Sequence, residues 1–180
     1  MAILPIYTYG HEVLKKVAKP LKGVTEEIRT LIADMFETMY QAEGIGLAAP
    51  QVGKSIRLLV ADISMIEKYK HTKPMVIINP QILQTEGEIE MEEGCLSMPG
   101  VREVVVRPEF ITIKYRDENF AEHIERIGGL MSRVIQHEFD HLNGELFVEK
   151  LEPSVRREHR AELEAIRRGE VEAEYLLAAK

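Results

Sequence analysis

His137, Glu138 and His141 stand within the stretch QHEFDHLNG, residues 136–144, in a run that otherwise alternates like a buried helix. At about 100° per residue, Leu130, Met131, Val134, Ile135 and Leu142 share one side of such a helix, and Ser132, Gln136 and Asp140 lie on the other. Glu138 projects from the middle of the apolar side, with His137 and His141 at its edge, one turn apart and pointing the same way. A bare carboxylate there would cost several kcal/mol or stay protonated unless a partner compensates it. A metal is such a partner. His-Glu-x-x-His therefore reads as two imidazole ligands with a carboxylate between them that serves as general base to a water on the metal.

Two histidines leave a catalytic centre of this kind one protein ligand short. The extended protease motif would supply a third histidine after Gly144, but Phe147 occupies that position. A second protease class takes a glutamate from a later helix, and Glu158 or Glu162 lies at a workable distance. The other candidate is Cys95 in EEGCLSMPG, a turn-like setting between Gly94 and Pro99 that can present a soft thiolate suited to Zn or Fe(II). A lone cysteine is more often a small buried hydrophobe, so both routes stay open on the residues alone. His11, His71, His123 and His159 have no such spacing and read as solvated or hydrogen-bonded bystanders.

The elements that must position these groups follow from patterning. Thr25 is a plausible N-cap, followed by two glutamates and apolar residues at Ile28, Leu31, Ile32, Met35, Phe36, Met39 and Tyr40, which predicts an amphipathic helix ended by Gly44. Next come GIGLAAPQVG, the strand-like IRLLVAD, MVIIN before Pro80 and an alternating FITIKY, so the middle of the chain is mostly β. A helix over 129–142 closes at Gly144, and residues 153–180 read as a charged terminal helix weakened at Gly169. Helix, strands, then helices indicate an α+β domain. GIGLAA follows a helix and precedes a strand, the reverse of a dinucleotide fingerprint. Its glycines suit the close approach of an extended ligand instead, with the Gln51 amide as a donor on a chain held by Pro50.

Bulk properties narrow the function classes. The 180 residues, 45% of them hydrophobic, fit one domain, and a formal net charge of −7 argues against broad nucleic-acid or anionic-membrane binding. One cysteine cannot form an intrachain disulfide, which suits the cytoplasm. No signal-peptide pattern or membrane-length apolar run indicates export or anchoring.

Taken together and in this order, GIGLAAPQ, EGCLS and QHEFDHLNG resemble the peptide deformylases, although they cover only about an eighth of the chain. The resemblance implies a single catalytic domain over 1–180, with mostly antiparallel sheets packed around a central His-Glu-x-x-His helix and helices at both ends. It implies that Cys95, His137 and His141 hold one divalent metal, usually Fe(II), with Zn, Ni or Co as substitutes, and that Glu138 is the acid/base. The substrate would be the N-formyl-methionyl terminus of bacterial nascent peptides, cleaved to release formate. The oxyanion would be held by the Gln51 amide and the Leu96 N–H. Substrate would bind in strand fashion along Gly46 and the residues around Gly94, including Glu93, with Arg102 nearby. The methionine pocket would be lined by Ile45, Leu130 and Val134 with His137 at its base and the aliphatic stem of Arg133 at the rim. Similar bacterial enzymes use a basic tail for transient contact with the ribosome; here Arg156, Arg157, Arg160, Arg167 and Arg168 are mixed with glutamates. Two other readings compete: a zinc peptidase that uses Glu158 or Glu162, and a non-catalytic ribosome-associated module, which leaves Glu138 without a use.

Overall fold

The computed structural model describes residues 1–180 throughout. Its first long helix, α1 (Glu26–Gln41), starts where the Thr25 hydroxyl accepts from the Ile28 N–H at 3.2 Å, and Glu26 and Glu27 complement the helix dipole in the first turn. Its apolar stripe buries Ile32, Met35 and Met39. The left-handed residue that turns the chain after α1 is Glu43, with φ 55°, and not Gly44, which was expected to end the helix. Gly44 is small for another reason: a Cβ there would lie 3.0 Å from Leu96 Cδ1.

Seven strands follow: β1 (Gly46–Ala48), β2 (Leu58–Ala61), β3 (Met75–Glu86), β4 (Ile89–Cys95), β5 (Met98–Arg107), β6 (Phe110–Arg116) and β7 (Glu122–Ile127). Five of them form an antiparallel sheet in the order β1-β2-β3-β6-β7, while β4 and β5 make a separate hairpin. In β2, Leu58 and Val60 face the cluster that contains Met35 and Met39 of α1, and Leu59 and Ala61 face the opposite cluster. The strand is therefore buried on both sides, which explains its continuous apolar run. Pro80 sits inside β3 at a register shift between Ile78 and Gln81, where its missing N–H costs no ladder bond. Beside it Asn79, φ 51°, accepts from the Leu21 N–H at 2.8 Å and donates to the Leu21 carbonyl at 2.7 Å.

Helix α2 (Gly129–Leu142) packs against β1 and β2 on the face opposite α1, with Met131, Val134, Ile135 and Leu142 in the shared cluster. Its polar side is buried too. Gln136 donates to the Pro108 carbonyl at 2.9 Å and to the Ser132 hydroxyl at 3.0 Å, so the side that periodicity assigns to polar residues faces protein rather than water. After α2 the charged terminal helix expected over 153–180 is replaced by two short ones, α3 (Pro153–Glu158) and α4 (Arg160–Arg167). Gly169, with φ 75°, turns the chain, and Leu177 bridges to Ile6 in extended conformation. Leu163 and Ile166 of α4 close a third cluster over the β4–β5 hairpin with Val101 and Val105.

Gly144 ends α2 at φ 72°, and a Cβ there would lie 2.5 Å from the Lys15 carbonyl oxygen, a backbone atom that cannot move aside. Gly144→Ala should therefore destabilise the chain by roughly 1–3 kcal/mol in urea unfolding, through left-handed strain and the clash. Gly23→Ala, where nothing lies within 4 Å, should stay near zero; equal losses in both would refute the steric account.

Candidate active site

The hairpin and α2 meet at three side chains. Cys95 closes β4 just where the register of the hairpin shifts, and His137 and His141 project from successive turns of α2. Their candidate ligand atoms lie within 4.8 Å of one another, and Cys95 Sγ is 3.3 Å from His141 Nε2. Glu158 and Glu162 are exposed on α3 and α4, and Glu162 faces His159 at 3.3 Å. The group of side chains that could hold a metal thus includes the cysteine, and neither glutamate belongs to it.

A soft sulfur and two imidazole nitrogens fit a single divalent transition-metal ion. The neighbouring Glu138 supports that fit: its Oε2 is buried without any hydrogen-bond partner, a costly state unless something in the site faces it. Burial pushes the Glu138 carboxyl up to about 7. Close packing brings Glu138 to β1: a Cβ on Gly46 would lie 2.6 Å from Val134 Cγ1 and 2.8 Å from Glu138 Oε1. Only glycine fits between strand and helix there.

Glu93 orients the site. Its carboxylate accepts from His137 Nδ1 at 2.8 Å, which leaves Nε2 as the ring's ligand atom. The same carboxylate takes Arg107 Nε at 2.6 Å, Arg107 Nη2 at 2.9 Å and Arg133 Nη1 at 2.6 Å. Arg107 also donates to Asp140 at 2.7 Å, and Arg133 to the carbonyls of Val105 and Ile89 at 2.9 and 2.7 Å. Two guanidiniums thus face two carboxylates, with the Glu93, Arg107 and Arg133 side chains all 4% exposed. Burial alone would raise the Glu93 pKa, but bonds from His137 and Arg107 outweigh it and hold the carboxyl well below its usual range. Burial likewise opposes charge on both imidazoles. His137 is nonetheless raised by Cys95 and Glu93, whereas His141, with its Nδ1 unpartnered, is lowered.

Two of the expected residues also have buried charged partners. Glu93 borders the cleft and directs its carboxylate at Arg107, Arg133 and His137. Arg133 borders the cleft, and its guanidinium is buried in the same ion cluster. Arg107 and Asp140 were missed. The signal for Arg107 lay in phase: it follows Val101 and Val105 on the inward face of β5. Asp140 carried none, because periodicity alone places it on the polar side.

The remaining residues come together around one cleft of about 500 Å³. Ile45, Leu130 and Val134 line it with His137 and Glu138, and so do Gly46 of β1 and Gly94 of β4. Arg102 stands at the rim, paired with Glu92 at 2.5 Å and lying over Gly94. Gln51 is buried in a 3₁₀ turn (Ala49–Val52), where its Oε1 accepts from the Ala48 N–H at 2.9 Å. That bond turns its Nε2 toward Ser97 Oγ at 3.2 Å and Cys95 Sγ at 3.6 Å. Leu96 lies between these two residues and also lines the cleft. His11, His123 and His159 bond to backbone or surface carboxylates, and His71 is exposed.

A polypeptide deformylase family model matches residues 3–157. The peptide deformylase of Chlorobaculum parvum is 58% identical over 176 residues, covering 98% of this chain and 94% of its own length. Among solved structures, the peptide deformylase of Legionella pneumophila superposes with a TM-score of 0.85 at 44% identity, over 94% of this chain and 98% of that one. The Ehrlichia chaffeensis peptide deformylase in complex with actinonin does so with a TM-score of 0.85 at 38% identity, over 96% and 100%.

Removing Glu93 leaves two buried arginines short of a counter-charge and frees the His137 ring. Glu93→Ala should cost roughly 3–5 kcal/mol of stability and weaken metal retention by about 10–100-fold. Unfolding and metal titration check both; a variant of unchanged stability would show that the ion cluster does not matter.

Proposed function

Because the chain belongs to the polypeptide deformylase family, we propose that it removes the formyl group from the N-terminal formyl-methionine of newly made peptides, releasing formate. The observation that carries this reading is the convergence of Cys95, His137 and His141 beside an unpartnered Glu138. A divalent ion bound there supplies Lewis acidity, polarising a carbonyl and lowering the pKa of a water. Fe(II) is the ion we assign, on the softness of the thiolate and the family resemblance, with Zn, Ni or Co as substitutes.

This chain's residues do the rest. Glu138, pushed up to about 7 by burial, is poised to accept a proton from the attacking water and return it to the leaving amine near neutral pH. The Gln51 amide and the Leu96 N–H donate to the developing oxyanion, and Gln51 is preorganised for this by its bond to Ala48. Ile45, Leu130 and Val134 form the apolar pocket for the methionine side chain. The peptide backbone lies between Gly46 and Gly94, with Arg102 at the rim. Backbone pairing accepts varied sequences after the methionine, as processing of many nascent chains requires. Residues 1–180 act as one catalytic domain in the cytoplasm, in keeping with a lone free cysteine and no helix long and apolar enough to cross a membrane. The arginines of α3 and α4 are the side available for transient contact with the ribosome.

Glu138→Ala should keep the metal while lowering turnover by about 10²–10⁴-fold, since it removes a proton shuttle and no ligand. Formate release from formyl-Met-Ala-Ser measured beside metal content checks it. The deciding experiment is a matched pair assayed in the same way. Cys95→Ala should lose metal and activity together, and Glu162→Ala should lose neither. A metal-replete, active Cys95→Ala beside a metal-free Glu162→Ala would sink the deformylase reading in favour of a peptidase.

A further inference from the structure

The segment after α4 lies beyond the part of the chain that the family model matches, yet it returns to the cleft. Its course is fixed by backbone bonds to the start of the chain: the Ile6 N–H donates to the Leu176 carbonyl at 2.9 Å, and the Ala178 N–H to the Ile6 carbonyl at 2.8 Å. Lys180 Nζ adds a bond to the Tyr9 carbonyl at 2.6 Å. These ties set Tyr175 against Leu96 beside the cluster that α1 covers. There the Tyr175 hydroxyl donates to the Leu96 carbonyl at 2.8 Å, and the side chain lines the cleft alongside Cys95 and Glu138.

Leu96 and Ser97 form the turn between β4 and β5, and that turn is held at three points. Tyr175 holds the Leu96 carbonyl, the Tyr9 N–H donates to the Ser97 carbonyl at 2.8 Å, and Gln51 Nε2 reaches the Ser97 hydroxyl at 3.2 Å. The Tyr9 bond fixes the far side of the turn. The Tyr175 bond holds the carbonyl end of Leu96 itself, the residue that also carries the N–H facing the cleft. We propose that Tyr175 is a positioning residue for deformylation, which keeps the Leu96 N–H aimed at the developing oxyanion by holding the Leu96 carbonyl and walls the cleft with its ring. The inference rests on the deformylase reading of Gln51 and Leu96. Burial raises the Tyr175 pKa, so its hydroxyl keeps its proton and stays a donor across the neutral range.

The test uses the full chain loaded with metal and formyl-Met-Ala-Ser as substrate. Tyr175→Phe keeps the ring and removes one hydrogen bond, and should lower kcat about 5–10-fold, with KM within about twofold and metal content and melting temperature unchanged. Tyr175→Ala should show at least the same fall in kcat and also a raised KM, because the wall is gone. Gln51→Leu serves as the reference for the oxyanion reading and should lower kcat by about 10²–10³-fold. If Gln51→Leu is impaired and Tyr175→Phe keeps its kcat, Tyr175 has no positioning role and the deformylase reading stands. If Gln51→Leu keeps full kcat, the oxyanion reading falls and the role of Tyr175 with it. A Tyr175→Phe variant that loses metal or melts earlier in proportion to its lost activity would show an ordinary structural contact and overturn the proposal.

Discussion

The buried carboxylate of Glu93 is the constraint on which the site depends. It joins β4 to β5 through Arg107, β4 to α2 through Arg133, and the hairpin to the metal-binding helix through His137. The hairpin shares no strand pairing with the main sheet, and this cluster bonds it to α2, while Val101 and Val105 pack with α4. Buried ion pairs are poor sources of net stability, because desolvating the charges consumes most of the attraction. Geometry is what this one supplies: a guanidinium fork admits a carboxylate in few orientations, and the imidazole is then fixed by what remains.

Much of this was legible in the chain itself. The helix over 129–142 and its three functional residues follow from period and spacing, because a carboxylate on an apolar face between two histidines has few stable uses. The choice of Cys95 over Glu162 did not follow. Both lie at workable separations, and only the turn of the hairpin brings the thiol to His141. Strands β4 and β5 were obscured by their own composition: VREVVVR places Val104 and Val106 outward and Arg107 inward, the opposite of what hydrophobicity suggests. The buried polar side of α2 was hidden for a similar reason, since its partners Pro108 and Arg107 come from a strand end that local pattern does not place.

The terminal segment failed as a helix for a reason also visible afterwards. Gly169 breaks it, and beyond that residue pairing with Ile6 offers backbone partners that a solvent-exposed helix would not improve on. Propensity counted the alanines and glutamates of this stretch; it could not count a strand partner near the other end of the sequence. The consequence is that Tyr175, which reads as one aromatic in a charged tail, reaches the turn that carries the metal-binding thiol.

That pairing also sets the loop lengths that the fold must close. The contacts of Lys180 with Tyr9 and of Ala179 with His11 span 171 and 168 residues. Contacts of such high order are entropically costly, because the chain entropy lost in closing a long loop grows with its length. The pairings of the main sheet join strands nearer in sequence and close shorter loops. The bond from Tyr175 to Leu96 spans 79 residues, so this restraint on the turn beside the thiol carries a larger closure entropy than the strand pairings do.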